Sequence, residues 1–213
     1  MVTTLALPRP DAAPAEVVER TVEVLRAGGV VVLPTDTVYG LAALPSDAAA
    51  TARLFDLKGR GRDVPIAVLC ATPGDALALA APAAVTDEVR RIAGRLWPGP
   101  LTLVLPRRPG LGYALGAPED TIGVRCPDHA FVRAVAAAVG PLATTSANPH
   151  GAPTPATAEE AAGALGPVDL VVDGGRCSAP PSTVVDATAV PWRVRREGPL
   201  SLDDVRAAAA DRV

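Results

Sequence analysis

Two periods of different length stand back to back near the start of the chain. Residues 14–27 place Val17, Val18, Val22 and Leu25 on one side and Glu and Arg on the other, the spacing of an amphipathic helix. Pro14 suits a first helical turn, and Gly28-Gly29 suits its stop. Residues 30–33, Val-Val-Val-Leu, then form a short continuous apolar run rich in β-branched side chains, the mark of a strand buried on both faces. A chain built from such segments buries both kinds of face only by laying helices against a sheet.

The two patterns recur along the chain. Apolar runs predict strands at 66–70, 101–105, 121–125, 142–145 and 170–172. Helical spacing returns at 47–57, 83–96, 130–139, 157–165 and 201–210, the last opened by Ser201 with Asp204 three residues on. Residues 182–186 and 192–196 predict a hairpin. Strands and helices do not alternate strictly, so the expected fold is α/β, a twisted mixed sheet flanked by helices, in a single domain over 1–213. With only two each of Trp, Tyr and Phe, the core must be built from Val, Leu, Ala and Ile. Residues 35–40 read as a polar loop, and 106–120, rich in Gly and Pro, as a mobile one.

Composition excludes several function classes. A net charge of −3 argues against bulk attraction to nucleic acid and leaves room for a local basic groove. Cys70, Cys126 and Cys177 are widely spaced with no CxxC pair, which fits a reducing compartment and neither a zinc site nor a disulfide framework. Residues 1–10 lack the basic start and apolar stretch of a signal peptide. No apolar run reaches the ~18 residues of a membrane span, so a cytoplasmic protein without membrane contact is expected. His129 and His150 are too far apart for a histidine-rich metal site, and no metal ligand set among the side chains is expected. There is no GxxxxGK[ST] loop, no GxGxxG after a strand and no GxSxG elbow.

Against that background one residue stands apart. Lys58 is the only lysine, in the run Leu57-Lys58-Gly59-Arg60-Gly61-Arg62. Where arginine is used almost everywhere else, a retained compact ammonium points to chemistry, with phosphate oxygens its natural target; a surface lysine is the plain alternative. Hydroxyl, amide and guanidinium groups also gather in or just after the apolar runs, at 34–40, 121–125, 144–148 and 181–183. In open α/β sheets ligands bind beyond the strand ends. Each segment alone is explained by strand-end turns; taken together with the lysine run they describe a site for a ligand bearing carboxylate, hydroxyl and phosphate groups. No nucleophile or base stands out, so such a site would work by positioning and charge neutralisation, as in nucleotidyl or phosphoryl transfer.

Six segments in order, Gly29-Val-Val-Val-Leu-Pro-Thr-Asp-Thr-Val-Tyr-Gly-Leu41, Lys58-Gly-Arg60, Trp97-Pro-Gly-Pro-Leu-Thr102, Thr121-Ile-Gly-Val-Arg125, Thr145-Ser-Ala-Asn148 and Pro181-Ser-Thr-Val-Val-Asp186, resemble the YrdC-like family over about residues 15–200. The resemblance implies a mixed α/β sheet with a concave basic surface. It implies that L-threonine and bicarbonate form an N-carboxylated threonine, which attacks the α-phosphate of ATP to give threonylcarbamoyl-AMP and pyrophosphate. Lys58 and Arg60 would be the catalytic pair on the phosphates, with Mg²⁺ accompanying ATP. Thr121, Asn148 and Arg196 would join them on the nucleotide. Thr37, Arg125, Ser146 and Ser182 would hold L-threonine, with Arg125 on its carboxylate. Threonylcarbamoyl-transferase proteins would take the product to tRNA, which this chain is expected to meet indirectly. Two departures are visible: Gly61 stands where the family often has proline, which leaves the role of Arg62 open, and the chain has the length of the short, single-domain form. Competing readings are a related carbamoyl or adenylate enzyme with another acceptor, and a structured-RNA-binding module.

Overall fold

The computed structural model describes residues 3–210; Met1, Val2 and residues 211–213, which the single-domain expectation includes, lie outside them. Most strands form where an apolar run can be buried, and the two at the ends of the sheet are largely exposed. The strands are β1 (Thr3–Ala6), β2 (Val31–Leu33), β3 (Gly40–Ala43), β4 (Ala67–Leu69), β5 (Leu101–Pro106), β6 (Thr121–Arg125), β7 (Leu142–Ser146), β8 (Leu170–Asp173), β9 (Thr183–Asp186) and β10 (Arg193–Arg196). Among the described residues they make one sheet in the order β1-β8-β2-β3-β7-β4-β6-β5-β9-β10. Parallel pairs (β1 with β8, β4 with β6) stand beside antiparallel ones (β3 with β7, β5 with β6), so the sheet is mixed.

The helices are α1 (Ala15–Arg26), α2 (Ala48–Lys58), α3 (Pro73–Leu77), α4 (Asp87–Leu96), α5 (Ala130–Val139), α6 (Ala158–Ala164) and α7 (Leu202–Ala209). They fall on two sides. Leu54 and Phe55 of α2, Ile92 of α4, Ala161 of α6 and Val205 of α7 join Leu41, Val68, Leu103, Val124 and Val185 in the larger core. Val22 and Leu25 of α1 and Phe131, Val132 and Val135 of α5 pack on Val31, Leu33, Leu142 and Leu170 on the opposite face. That second layer covers only part of its face. Side chains alternate along strands, so Ala67, Thr102, Gly123, Arg125, Thr144 and Val184 lie on the α1–α5 side, next to core residues that point the other way. Ala67, Gly123 and Val184 there are only half-buried. The result is a strip of small side chains across β4, β6, β5 and β9.

The structure differs from the sequence reading in five places, one of them α3, which has no counterpart in that reading. β1 and β3 were not anticipated, and β3, Gly-Leu-Ala-Ala, has no β-branched residue; it is a strand because β2 and β7 pair with it on either side. The helix expected from 83 starts at Asp87: Pro82–Ala84 is a single 3₁₀ turn, and the Thr86 side chain caps the true first turn by accepting from the Val89 N–H. The 106–120 segment is irregular but pinned, with Leu115 buried and its carbonyl bonded to the Ile66 N–H at 2.8 Å, and the Ala117 N–H bonded to the Arg62 carbonyl at 2.7 Å. Lys58, which the helical spacing at 47–57 leaves just outside the helix, is the last residue of α2 and only 3% exposed.

Candidate active site

The lysine run is shaped by a helix end. Asp47 caps the start of α2 by accepting from the Ala49 and Ala50 N–H groups, and Gly59 ends it at φ 58°, a left-handed conformation that glycine adopts without strain. The turn leaves Lys58 pointing inward and sends Arg60 outward. The Lys58 ammonium donates to the Ser146 carbonyl at 2.6 Å and the Asn148 carbonyl at 2.5 Å, with Ser146 Oγ and Asn148 Oδ1 each at 3.4 Å. The His150 N–H bonds back to the Lys58 carbonyl at 2.7 Å, so the segment after β7 is laced to the end of α2. Asn148 is fixed by donating to the Pro149 and Ala152 carbonyls. All the acceptors around Lys58 are neutral. Burial, with the charge of Arg60 added, pulls its pKa from the ordinary 10.5 to about 8.

Arg60 bridges to the same strand end. Its Nη1 donates to Thr145 Oγ1 at 3.3 Å, while Nε and Nη2 hold the Val64 and Pro65 carbonyls, each at 2.9 Å. Arg62 turns away and stacks on Phe55 at 5.7 Å from the ring centre.

Arg125 ends β6 and is 5% exposed. Its Nη2 is 2.6 Å from Asp36 Oδ1, its Nη1 donates to Thr37 Oγ1 at 3.1 Å, and its Nε donates to the Gly99 carbonyl at 3.0 Å. The Trp-Pro-Gly-Pro turn thus serves to present a carbonyl. Gly99 is required there because a Cβ would stand 2.5 Å from the Leu96 carbonyl oxygen. Thr37 Oγ1 also lies 3.0 Å from Thr35 Oγ1. Three of the five guanidinium N–H donors of Arg125 are engaged by these partners, which leaves two without a bond to them.

Arg196 of β10 holds Ser182 through its carbonyl, at 3.0 Å from Nε and 2.9 Å from Nη2, and through its hydroxyl at 3.0 Å. Ser182 Oγ in turn lies 2.9 Å from Thr102 Oγ1 on the small-residue strip. Burial pulls the Arg196 pKa below its usual value, and the charges of Arg125 and Arg60 push it the same way. Lys58, Arg60, Arg125 and Arg196 therefore share one field, brought from the end of α2, the end of β6 and the edge strand β10. Thr121, at the start of β6, is half-buried on the face of Arg125.

Every residue expected at the site from the sequence, Thr37, Lys58, Arg60, Thr121, Arg125, Ser146, Asn148, Ser182 and Arg196, lies on this face or at the strand ends that border it. The sequence reading gave no role to Asp36, Thr102 or Gly99. Asp36 and Thr102 lie inside segments singled out for other residues, and their long-range partners leave no local signal. No group of three or more His, Cys, Asp or Glu comes together among the described residues, and no helix among them is long and apolar enough to cross a membrane.

The profile of the Sua5, YciO and YrdC proteins, described as "Telomere recombination", matches residues 23–198. The chain belongs to the Sua5–YciO–YrdC family. A protein of Mycobacterium tuberculosis provisionally named threonylcarbamoyl-AMP synthase is 39% identical over 185 residues, 85% of this chain and 83% of that one. The threonylcarbamoyl-AMP synthase of Pyrococcus abyssi is 36% identical over 184 residues, 85% of this chain and 54% of its own length. The crystal structure of P. abyssi Sua5 complexed with L-threonine matches with a TM-score of 0.87 at 31% identity, over 98% of this chain and 60% of that one. The chain thus spans a little over half of the P. abyssi protein and most of the mycobacterial one.

Proposed function

We propose that this chain is a threonylcarbamoyl-AMP synthase that uses L-threonine, bicarbonate or CO₂, and Mg-ATP. The observation that carries the reading is the convergence of Lys58, Arg60, Arg125 and Arg196 beside the hydroxyls of Thr37, Ser146 and Ser182, in a family whose P. abyssi member binds L-threonine in its crystal. The two unused donors of Arg125 suit a carboxylate, and Thr37, Ser146 and Ser182 suit the rest of an amino acid with a hydroxyl side chain. Lys58 and Arg60 suit the phosphates of ATP, with Thr121, Asn148 and Arg196 on the rest of the nucleotide.

The chemistry needs no nucleophile from the protein. The threonine amine adds to CO₂ and loses a proton, giving a carbamate. A carbamate oxygen attacks the α-phosphorus, a new P–O bond forms, and the bond to the β-phosphate breaks with its electron pair on departing pyrophosphate. The protein aligns the two reactants and stabilises charge that develops on the phosphates, where a cation already stripped of water acts strongly. Mg²⁺ enters on the nucleotide phosphates as part of the substrate. The product is a reactive mixed anhydride, so a threonylcarbamoyl transferase acting on tRNA must consume it promptly. Three free thiols fit a cytoplasmic setting.

The test is pyrophosphate release from purified protein with Mg-ATP, leaving out L-threonine and bicarbonate in turn. Release that needs both, with L-serine a poor substitute, supports the reading. Release without threonine points to another acceptor, and no release together with salt-sensitive RNA binding points to a binding module.

A further inference from the structure

β10 carries two adjacent arginines, and the strand pairing decides which of them reaches the ligand face. Arg193 stands opposite Asp186 and Val194 opposite Val185, but it is Arg196 that stands opposite Val184. Arg195 is an extra residue, a β-bulge in the edge strand. In a regular ladder Arg195 would face Val184, and Arg196 would fall opposite Thr183 on the other face of the sheet, because a one-residue slip exchanges the faces. Thr183 is fully buried and its hydroxyl is used by both the N–H and the carbonyl of Leu200. That side has no place for a guanidinium.

The bulge is clamped. Arg195 grips one oxygen of Asp186 with Nε at 3.0 Å and Nη2 at 2.5 Å, and the other oxygen takes the Thr188 hydroxyl at 2.6 Å and its N–H at 3.0 Å. The Asp186 side chain is 11% exposed and that of Arg195 64%. Arg195 therefore makes no use of its charge at the site; it spends it on the strand. Arg196, in contrast, is pressed by the like charges of Arg125 and Arg60 and has only neutral acceptors on Ser182 to hold it. Bulges near active sites commonly re-aim a side chain. We infer that Asp186 and Arg195 are positioning residues: their ion pair fixes the bulge that presents Arg196, and not its neighbour, to the nucleotide. The inference rests on the nucleotide role of Arg196 proposed above.

The experiment compares ATP and L-threonine affinities, by calorimetry on the whole chain, for Arg196→Ala, Arg195→Leu, Asp186→Asn, Arg195→Lys and removal of residue 195, with a melting curve for each. Arg195→Leu and Asp186→Asn leave the extra residue without its clamp. They should weaken ATP binding about tenfold, on the scale of a charge-assisted hydrogen bond, with a smaller loss for threonine, because Arg196 also holds Ser182. Arg195→Lys should recover part of the loss. Removal of residue 195 leaves Arg196 next in line for Val184 in a regular ladder, so it should bind ATP better than Arg195→Leu despite lacking the same side chain. Equal losses for removal and substitution, or losses of ATP and threonine affinity that follow the melting temperature, would overturn the inference. If Arg196→Ala itself leaves ATP binding intact, it is the nucleotide reading that fails.

Discussion

Lys58 carries a charge whose presence depends on pH within the working range, and its consequence for ATP can be worked out. Lys58 is 3% exposed, and its ammonium meets only neutral oxygens. The fall in its pKa from 10.5 to about 8 corresponds to about 3 kcal/mol against the charged form in the free protein. The sign follows from proton counting. Between pH 8 and 10.5 the unfolded chain keeps this proton and the folded chain does not, so the group's contribution to stability rises with pH across that window and is lost again as pH falls through 8. ATP reverses the balance, since phosphate oxygens favour the ammonium. Binding above pH 8 must then take up a proton, and the Kd should rise toward tenfold for each further pH unit. Calorimetric titrations with Mg-ATP from pH 7 to 9.5, in buffers of different ionisation enthalpy, measure both the affinity and the proton uptake. Lys58→Arg keeps its charge throughout and should show a flat profile, whatever its absolute affinity. A wild-type Kd that stays constant to pH 9.5, with no proton uptake, would refute the placement of Lys58 on the phosphates.

Other perturbations separate the parts of the site. Lys58→Met should abolish pyrophosphate release at pH 7.5 while leaving the melting temperature unchanged or higher, because it removes a buried charge. Arg125→Ala should raise the threonine requirement far more than the ATP requirement, and urea unfolding should show a loss of about 1–3 kcal/mol, because the half-buried Asp36 carboxylate is left without its partner. Gly123→Val should fold normally, since a Cβ there meets Thr102 and Ala67 at 3.5 and 3.6 Å and valine suits a strand. It should nonetheless block ligand binding by filling the small-residue strip, which paired melting and binding measurements would show.

What the sequence revealed and what it hid have the same cause. Strands with β-branched runs, such as β2 and β8, are visible because their own residues favour the pleat. β3 is not, because Gly40–Ala43 becomes a strand through its neighbours. Lys58 could be singled out from composition, but a helical pattern ending at Leu57 beside Gly59 hides that the lysine belongs to the helix and is buried by its cap geometry. Arg125 was recognisable as a fork; its three protein partners were not, since Asp36, Thr37 and Gly99 meet it only through the fold. The two arginines of β10 differ by a single register shift that depends on pairing with β9. Local pattern names the residues, and tertiary contacts decide which of them face the ligand.

The central claim is that one face of this sheet joins threonine, a one-carbon unit and the adenylyl group of ATP. Incubation of the purified chain with ¹³C-bicarbonate, L-threonine and Mg-ATP, followed by rapid mass spectrometry of the nucleotide fraction, tests it directly. The account predicts an adenylate adduct that contains threonine and one labelled carbon, formed in step with pyrophosphate and lost in Lys58→Met. An adduct without the label, or ATP consumed to unlabelled AMP alone, would contradict it.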